Sequence, residues 1–339
     1  LTSDIIQSGE LASGSYYLAD NLNAGTTQIK VTGEVTLCLN GRTFTSSAED
    51  GIFRVGKNGV LNIYDCKGNG GISASTIQNP IFLVSGGACN LFGGTLQSNR
   101  TAVVIDKDGT DYTGGTFTMY GGTVRSNSSV NNYQGIKINA GLTDTSVSIY
   151  GGTIASPRYG INAASGTVTL SGDLDISGNE AGIYLQNDAK ILPEEPQSGS
   201  VGVAMDSPGV FTTGSGASCR QYFYSQNGTY EVQVSDSELE LGEAGNHSHA
   251  VGDSEGTKTF IPLSSLNTGL SAGSYYLSRS LTATGNITIS SGTVDLCLNG
   301  YTLDMGSHTI TVGSNATLNI CDCGSGGAIT GTTGSSGSS

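Results

Sequence analysis

The sequence LFGGTL at residues 91–96 recurs as MYGGTV at residues 119–124 and as IYGGTI at residues 149–154. Each copy has an apolar and an aromatic residue before a Gly-Gly-Thr turn, and the copies are 28 and 30 residues apart. Apolar and polar residues alternate around these turns, which is typical of short β-strands. A strand–turn–strand unit that returns about every 20–30 residues predicts a solenoid in which each repeat forms one coil.

The aromatic residue of each copy belongs to a longer column. Ile63-Tyr64 and Leu37-Cys38 have the same place farther upstream. Because successive side chains of a strand point to opposite faces, the apolar partners are expected to point into the solenoid and the column to point outward. The outward column is then formed by Cys38, Tyr64, Phe92, Tyr120 and Tyr150.

We therefore predict an all-β fold, a right-handed parallel β-helix whose coils stack about 4.8 Å apart. The 52 glycines among 339 residues agree with this fold, because glycine tolerates the positive φ angles that tight corners require. A β-sandwich is the other all-β candidate, but a column of like residues that returns about every 28 residues fits it poorly.

A second, larger repeat relates the two ends of the chain. Residues 11–41 resemble residues 270–300 at a constant offset of 259, which aligns Cys38 with Cys297. Farther on, the offset becomes 257 and aligns Cys66 with Cys323. The chain is therefore expected to be a segment of a tandem array, with one unit of about 260 residues and the opening of a second.

The domain organisation follows from where this pattern stops. We predict β-helix coils over residues 1–192 and an irregular C-terminal β cap over residues 193–242, because Pro193 and Pro196 lack the N–H group that a central strand donates. The polar, glycine-rich stretch over residues 243–262 is predicted to be a linker. Residues 263–339 are predicted to form the opening coils of a second, truncated unit.

The composition restricts the partners of the chain. Its formal net charge is −14, and only 12% of its residues are charged. Nucleic acids require a basic surface, so no nucleic-acid partner is expected. No apolar run approaches the roughly 18 residues of a membrane span, so no membrane insertion is expected in this segment. Neighbouring repeat units of the same chain are expected partners.

Three phrases of the sequence also carry a resemblance, namely GSYYL at residues 14–18, LCLNG at residues 37–41 and NICDC at residues 319–323. With these phrases the chain resembles large, repetitive secreted or surface proteins of Gram-positive anaerobic bacteria, described as pectate-lyase-like or carbohydrate-binding β-helix proteins. The resemblance covers nearly the whole chain, and LCLNG and the CDC phrase are its most specific parts. It implies a β-helix and an extracellular, secreted or cell-surface location, but it supplies no catalytic residues.

The first functional hypothesis is a non-catalytic, tandem-repeat segment that acts as a rigid stalk or adhesin. An alternative is a carbohydrate-binding module that binds glycans or host surface molecules. Its candidate residues are Tyr64, Phe92, Tyr120 and Tyr150, because exposed rings can receive the C–H faces of sugars. The same rings are also expected to stabilise the sheet by cross-strand pairing, and the sequence leaves both interpretations open.

A second alternative is a polysaccharide lyase or glycoside hydrolase, since hydrolysis uses two facing carboxylates. Asp173 and Asp175 lie on one face of a predicted strand, and Asp106, Asp108 and Asp111 form the densest acidic cluster. Solvated turns are the competing interpretation for both groups. The alternating oxygens of the Asp106–Asp111 loop suit Ca²⁺, although their order departs from the EF-hand. No other cofactor is expected.

The chain has seven cysteines, and disulfides persist in extracellular proteins. The equivalence between the two units predicts the bridges Cys38–Cys66 and Cys297–Cys323, with free, buried thiols as the alternative. The sequence His247-Ser248-His249 lies in the predicted linker with no ligand-spaced cysteine beside it. We therefore do not expect a zinc site there.

Overall fold

The computed structural model describes residues 6, 8–48, 51–74, 80–129, 131–245, 247–251, 256–266, 269–324 and 326–332. They form an all-β solenoid of parallel stacked strands with about 13 turns, which confirms the predicted fold class. The chain divides into two compact units. Unit 1 contains Leu1–Ala217 and Val234–Leu241, and unit 2 contains Ser218–Gln233 and Gly242–Ser339.

The elements follow one another as short strands. The coils of unit 1 contain β1 (Glu10–Leu11), β2 (Gly14–Tyr17), β3 (Leu22–Asn23), β4 (Ile29–Val31), β5 (Glu34–Cys38), β6 (Thr43–Ser46), β7 (Phe53–Val55), β8 (Val60–Tyr64), β9 (Gly71–Ala74), β10 (Ile81–Leu83), β11 (Ala88–Leu91), β12 (Thr95–Ser98), β13 (Val103–Ile105), β14 (Thr116–Met119), β15 (Thr123–Ser126), β16 (Gln134–Ile138), β17 (Ser146–Ile149), β18 (Thr153–Ser156), β19 (Tyr159–Ala163), β20 (Thr167–Gly178), β21 (Ala181–Leu185), β22 (Lys190–Gly199) and β23 (Val201–Met205). The remaining elements are a 3₁₀ helix (Gly216–Tyr222), β24 (Phe223–Ser225), β25 (Tyr230–Ser235), β26 (Glu238–Glu243), β27 (Ser248–His249), β28 (Lys258–Thr259), β29 (Ile261–Leu263), β30 (Gly273–Leu277), β31 (Leu281–Thr282), β32 (Ile287–Cys297), β33 (Thr302–Asp304), β34 (Ile310–Cys321) and β35 (Ala328–Thr330).

Three parallel sheets, which we name A, B and C, form the sides of unit 1. Sheet A follows the order β1-β4-β7-β10-β13-β16-β19-β21-β23. Sheet B follows β2-β5-β8-β11-β14-β17-β20, with β22 added to β20, and sheet C follows β3-β6-β9-β12-β15-β18-β20. Each coil therefore contributes to sheets A, B and C in turn, and the long strand β20 joins sheets B and C.

The alternating apolar residues of the strands fill the interior in vertical columns. One column of sheet B, fully buried at every position, contains Val35, Leu61, Cys89, Phe117, Val147 and Val168. Fully burying one such side chain stabilises the fold by about 1.5–3 kcal/mol. Burial also raises the pKa of the Cys89 thiol, which packs here as a small apolar group.

The Gly-Gly-Thr corners allow the coils to stack closely. Gly122 has a φ of +87°, and a Cβ atom built on it would lie 2.5 Å from the carbonyl oxygen of Gly94 in the preceding coil. A side chain at this position would therefore both strain the backbone and separate the coils.

The coils of unit 1 continue past residue 192, where the sequence analysis ended them. Strand β22 pairs with β20, and β23 pairs with β21, so parallel stacking extends to Met205. At Ile191, β22 pairs with β20 on one side and with Thr212 on the other. Pro193 and Pro196 are accommodated because the described pairing beyond Ile191 is with β20, and the register shifts twice between these strands.

Part of the predicted cap pairs with the coils of unit 1, since the Ile191 N–H donates a hydrogen bond of 2.8 Å to the Phe211 carbonyl. Phe211 donates a backbone hydrogen bond of 2.9 Å to Leu239. The Glu238 carboxylate accepts hydrogen bonds from the Thr212 hydroxyl at 2.8 Å and from the backbone N–H groups of Ser215 and Gly216 at 2.8 and 3.0 Å. Residues 218–233 of the same predicted cap belong to unit 2.

Unit 2 has its own coils and core. The predicted linker contains an antiparallel pair formed by β27 and β28. The coils that follow form one parallel sheet in the order β29-β30-β32-β34 and another in the order β31-β33-β35. Leu277, Leu296 and Leu303 are central in the core, and the Arg220 guanidinium lies 4.5 Å from the ring centre of the buried Tyr301.

Candidate functional site

The four predicted aromatic residues form a continuous ladder on the outer face of sheet B. The ring centres are 4.3 Å apart for Tyr64 and Phe92, 4.8 Å for Phe92 and Tyr120, and 5.4 Å for Tyr120 and Tyr150. The planes are nearly parallel, with angles of 2°, 7° and 14°. The vertical register predicted from the sequence is therefore present in the structure.

The stacking decides which surface of each ring is available. Each ring of the aromatic ladder lies face to face with the ring of the next coil, so the faces within the ladder are occupied. Between 37% and 50% of each residue remains exposed. Phe92 and Tyr120 have a stacked ring on both sides, whereas Tyr64 and Tyr150, at the two ends, have one each. Sugars stack on ring faces, so the arrangement favours cross-strand stabilisation over sugar stacking.

A polar groove that the sequence analysis did not identify lies on the outer face of sheet A, and we name it the sheet-A groove. Its floor contains Phe82, Val104, Lys137 and Asn162, which are direct neighbours on β10, β13, β16 and β19. Residues at the strand ends form its sides, among them Arg100, Tyr133, Asp106 and Asn139. The groove has a volume of about 610 Å³.

Two polar atoms in this groove have no partner among the described residues. The Asn162 side chain is 8% exposed, and its Oδ1 atom accepts no hydrogen bond there. The Nε atom of Arg100 is likewise buried without an acceptor. A buried polar atom without a hydrogen bond costs about 1–3 kcal/mol. Both residues line the groove, so a small rotation of either side chain would let a polar ligand in the groove supply the missing partner.

The charges in the groove are mostly positive. Arg100, Lys137 and Arg158 line it together with Asp106, the one carboxylate among the described lining residues. Arg158 forms an ion pair of 2.9 Å with Glu180, and this contact lowers the pKa of the Glu180 carboxyl. Within the described part of the chain, Arg100 and Lys137 form no ion pair, so their charges are available to an anionic ligand.

Each of the three predicted Ca²⁺ ligands has a protein partner for its carboxylate. Asp106 accepts a hydrogen bond of 2.8 Å from the Lys107 backbone, and Asp108 forms an ion pair of 2.8 Å with Arg54. Asp111 accepts a hydrogen bond of 2.9 Å from the backbone N–H of Thr113, and contacts with Thr113 lower the pKa of its carboxyl. Among the described residues, the three carboxylates form no common ligand cluster.

Asp173 and Asp175 have structural partners in different coils. Asp173 accepts a hydrogen bond of 2.5 Å from the Ser198 hydroxyl, and Asp175 accepts one of 2.7 Å from the Thr153 hydroxyl. Each carboxylate thus links its coil to a neighbouring coil.

The two predicted cysteine pairs differ. Cys38 and Cys66 form a disulfide in unit 1. Their equivalents in unit 2, Cys297 and Cys323, are free thiols with Sγ atoms 3.3 Å apart. The Nε2 atom of His247 lies 3.4 Å from Cys297 Sγ and 3.3 Å from Cys323 Sγ. The spacing in the sequence does not reveal this contact, because Cys297 and Cys323 follow His247 by 50 and 76 residues.

Burial, with smaller contributions from His249 and Arg220, lowers the pKa of His247 to about 4. The imidazole is therefore neutral at pH 7 and retains a lone pair.

Comparisons with known proteins add little to this geometry. No protein-family model and no curated protein matches the chain. Among solved structures, the chain is similar to the C-terminal domain of a tapirin from Caldicellulosiruptor kristjanssonii, with 11% identity and a TM-score of 0.21. That match covers 97% of this chain and 93% of the tapirin chain. Among the described residues, no helix is long and apolar enough to cross a membrane.

Proposed function

We propose that this chain is a non-catalytic solenoid segment of a bacterial surface or secreted protein and that it binds acidic polysaccharide in the sheet-A groove. The observation that supports this function is the groove itself, in which Asn162 Oδ1 and Arg100 Nε are buried without partners. The stack of coils also suits a stalk, because each coil is hydrogen-bonded to the next and coil number sets the length.

The charge of the groove supports an anionic ligand. The chain has 14 basic and 28 acidic residues, yet three cations and a single carboxylate are found among the described residues that line the groove. Arginine matches the two oxygens of a carboxylate or sulfate, and hydrogen bonds to charged groups contribute about 1.5–3 kcal/mol. Uronic-acid or sulfated glycans combine such charges with hydroxyl groups that Asn139 and Asn162 are suited to bind.

The length of the groove supports an extended ligand. The lining residues come from the coils of β10, β13, β16, β19 and β21. Four steps of about 4.8 Å give a length of about 19 Å. Phe82 and Tyr133 also line the groove. The Arg54 guanidinium lies over the Phe82 ring at 5.0 Å and the Arg100 guanidinium over the Tyr133 ring at 5.5 Å, so sugar C–H groups would contact the remaining ring surface.

The groove provides weaker support for catalysis. Hydrolysis of a glycosidic bond uses two carboxylates, and Asp106 is the only one among the described lining residues. A lyase requires a single base, so the binding test includes a search for cleavage products.

The test measures binding of polygalacturonate by calorimetry, with fully methyl-esterified polygalacturonate as the uncharged control. We expect binding of the acid form alone, and weaker binding at higher ionic strength because salt screens exposed charges. Lys137→Ala is expected to weaken binding at least about tenfold, since about 1.4 kcal/mol corresponds to a factor of ten. Arg125→Ala removes a cation from sheet C and is the matched control, expected to bind as the wild type does.

Three outcomes would contradict the proposal. One is the absence of binding to uronic-acid and sulfated polysaccharides. Another is equal binding by the Lys137→Ala and Arg125→Ala variants. The third is release of unsaturated uronate from polygalacturonate, which would make the protein a lyase.

A further inference from the structure

Four side chains that the sequence places far apart converge in unit 2. His247 and His249 come from the start of the β27–β28 hairpin, Cys297 ends β32, and Cys323 follows β34. Their ligand atoms all lie within 4.8 Å of one another. Two cysteines and two histidines are the donor set of a structural zinc site, so the expectation against zinc at these histidines needs to be revised.

The hydrogen bonding of His249 prepares it as a ligand. Its Nδ1 atom lies 2.9 Å from the carbonyl oxygen of Ala250, which can only accept a hydrogen bond, so Nδ1 is the protonated nitrogen. The other ring nitrogen, Nε2, is buried and has no partner among the described residues. Histidines that bind metals typically donate their second N–H to a carbonyl or carboxylate in this way.

Aromatic packing fixes both imidazole rings. His247 stacks on Tyr276 with ring centres 4.2 Å apart, and His249 stacks on Phe260 at 4.3 Å. Phe260 and Tyr276 are buried together with Cys297, whereas Cys323 is exposed. The cluster thus has an apolar surrounding on one side, which limits the access of water, and a route from solvent on the other.

The distances suit a single tetrahedral ion. With Zn–S bonds of about 2.3 Å and Zn–N bonds of about 2.0–2.1 Å, ligand atoms around zinc are separated by about 3.3–3.8 Å. The separations between His247 Nε2 and the two sulfur atoms, and between the sulfur atoms themselves, are 3.3–3.4 Å. Small movements of the side chains are enough to accommodate the ion.

We propose that His247, His249, Cys297 and Cys323 bind one Zn²⁺ ion that joins the β27–β28 hairpin to the coils of unit 2. Binding converts two thiols to thiolates and releases two protons, while both imidazoles bind as neutral ligands. The equivalent pair in unit 1, Cys38 and Cys66, forms a disulfide instead and belongs to no such cluster in the described part of the chain.

The test uses the full chain, stripped of metal and handled without oxygen after brief reduction with a phosphine that is then removed, with the Cys38–Cys66 disulfide verified by mass spectrometry. Titration with Co²⁺ is expected to give thiolate-to-cobalt charge-transfer bands and the visible bands of a tetrahedral site, both reaching a plateau at one equivalent. Zn²⁺ is expected to displace the cobalt. Absence of these bands in a folded, reduced sample would overturn the proposal.

Variants identify the ligands. His249→Ala and Cys323→Ser are each expected to weaken cobalt binding more than about 100-fold, which exceeds the 10–100-fold effect of supporting residues. Cys321→Ser is the matched control because it removes a thiol two residues from Cys323, and it is expected to retain one equivalent. Equal binding by all three variants would refute the assignment.

A measurement on the wild type covers the case in which a ligand variant does not fold. One equivalent of Zn²⁺ is expected to slow alkylation of Cys297 and Cys323 by at least tenfold, as read by peptide mass spectrometry, and to leave the alkylation rate of Cys219 unchanged. Equal rates with and without zinc would overturn the proposal.

Discussion

Replacing Tyr120 by alanine is expected to destabilise unit 1 and to leave glycan binding unchanged. The Tyr120 ring stacks on Phe92 at 4.8 Å and on Tyr150 at 5.4 Å, and half of the residue is exposed. Each aromatic pair contributes about 0.5–1.5 kcal/mol beyond its buried area, and burying half of such a side chain adds about 1 kcal/mol. The free energy of unfolding is therefore expected to fall by about 2–4 kcal/mol.

Urea unfolding followed by far-ultraviolet circular dichroism measures this loss. Because each coil contacts only its neighbours, unfolding can deviate from two states, so the contact itself is measured by a double-mutant cycle. The cycle of Tyr120→Ala with Tyr150→Ala is expected to give a coupling energy of about 0.5–1.5 kcal/mol. Tyr112→Ala is the control, because Tyr112 is 48% exposed and lies outside the aromatic ladder. Its half-buried side chain contacts the Lys107 ammonium, so its expected loss is about 1 kcal/mol, without the contribution of two stacked rings.

One combination of results would refute the claim that the aromatic ladder stabilises the sheet and does not bind glycans. In it, Tyr120→Ala unfolds at the same urea concentration as the Tyr112→Ala control, but its affinity for polygalacturonate falls tenfold. The ladder would then be the binding surface, and the sheet-A groove would not be.

Three further changes test the fold of unit 1. Gly122→Ala is expected to lower the free energy of unfolding by at least about 1–2 kcal/mol, because φ is positive and the new Cβ would lie 2.5 Å from the Gly94 carbonyl oxygen. Gly56→Ala is the control in urea unfolding, since the nearest atom to its Cβ would be 3.9 Å away. Equal unfolding midpoints for the two variants would show that Gly122 is not required at its corner. Cys38→Ala combined with Cys66→Ala opens a loop of 28 residues and is expected to cost about 3–4 kcal/mol by the chain-entropy relation; an unchanged thermal midpoint would argue against that contribution. Burial raises the pKa of the Glu238 carboxyl, but hydrogen bonds from backbone N–H groups outweigh burial and lower the pKa below 4.5. The carboxylate therefore stabilises the fold fully above pH 4.5, and this stabilisation is lost as the pH falls through the folded-state pKa. Glu238→Gln is expected to flatten this acid dependence in unfolding measured between pH 6 and pH 3, and an unaltered slope would show that the carboxylate does not contribute.

The coils were predictable because a short sequence pattern specifies each strand and turn, and the same pattern recurs along the chain. An apolar residue followed by an aromatic one indicates which side chain points inward, as in Leu91-Phe92, Met119-Tyr120 and Ile149-Tyr150. The similar spacing of the turns places these pairs in register. Because of the prolines in β22, the sequence predicted that the coils end at residue 192. It does not show that this strand tolerates the prolines through its shifts of register against β20.

The sheet-A groove and the histidine–cysteine cluster were not predictable for a common reason. Phe82, Val104, Lys137 and Asn162 are separated by 22, 33 and 25 residues, because the loops between their strands differ in length. No fixed period reveals that they are neighbours. Likewise, His247 meets cysteines 50 and 76 residues away, on elements that only the completed coils bring together.

Several glycine corners contact the preceding coil mainly through main-chain atoms. Gly121 and Gly151 face the carbonyl oxygens of Phe92 and Tyr120, and Gly122 faces backbone atoms of Gly93 and Gly94. At these positions one coil recognises the next mainly through its main chain, whatever side chains surround the turn. A coil inserted or removed between two such corners would thus meet the same main-chain surface, so the corners place little restriction on the number of coils.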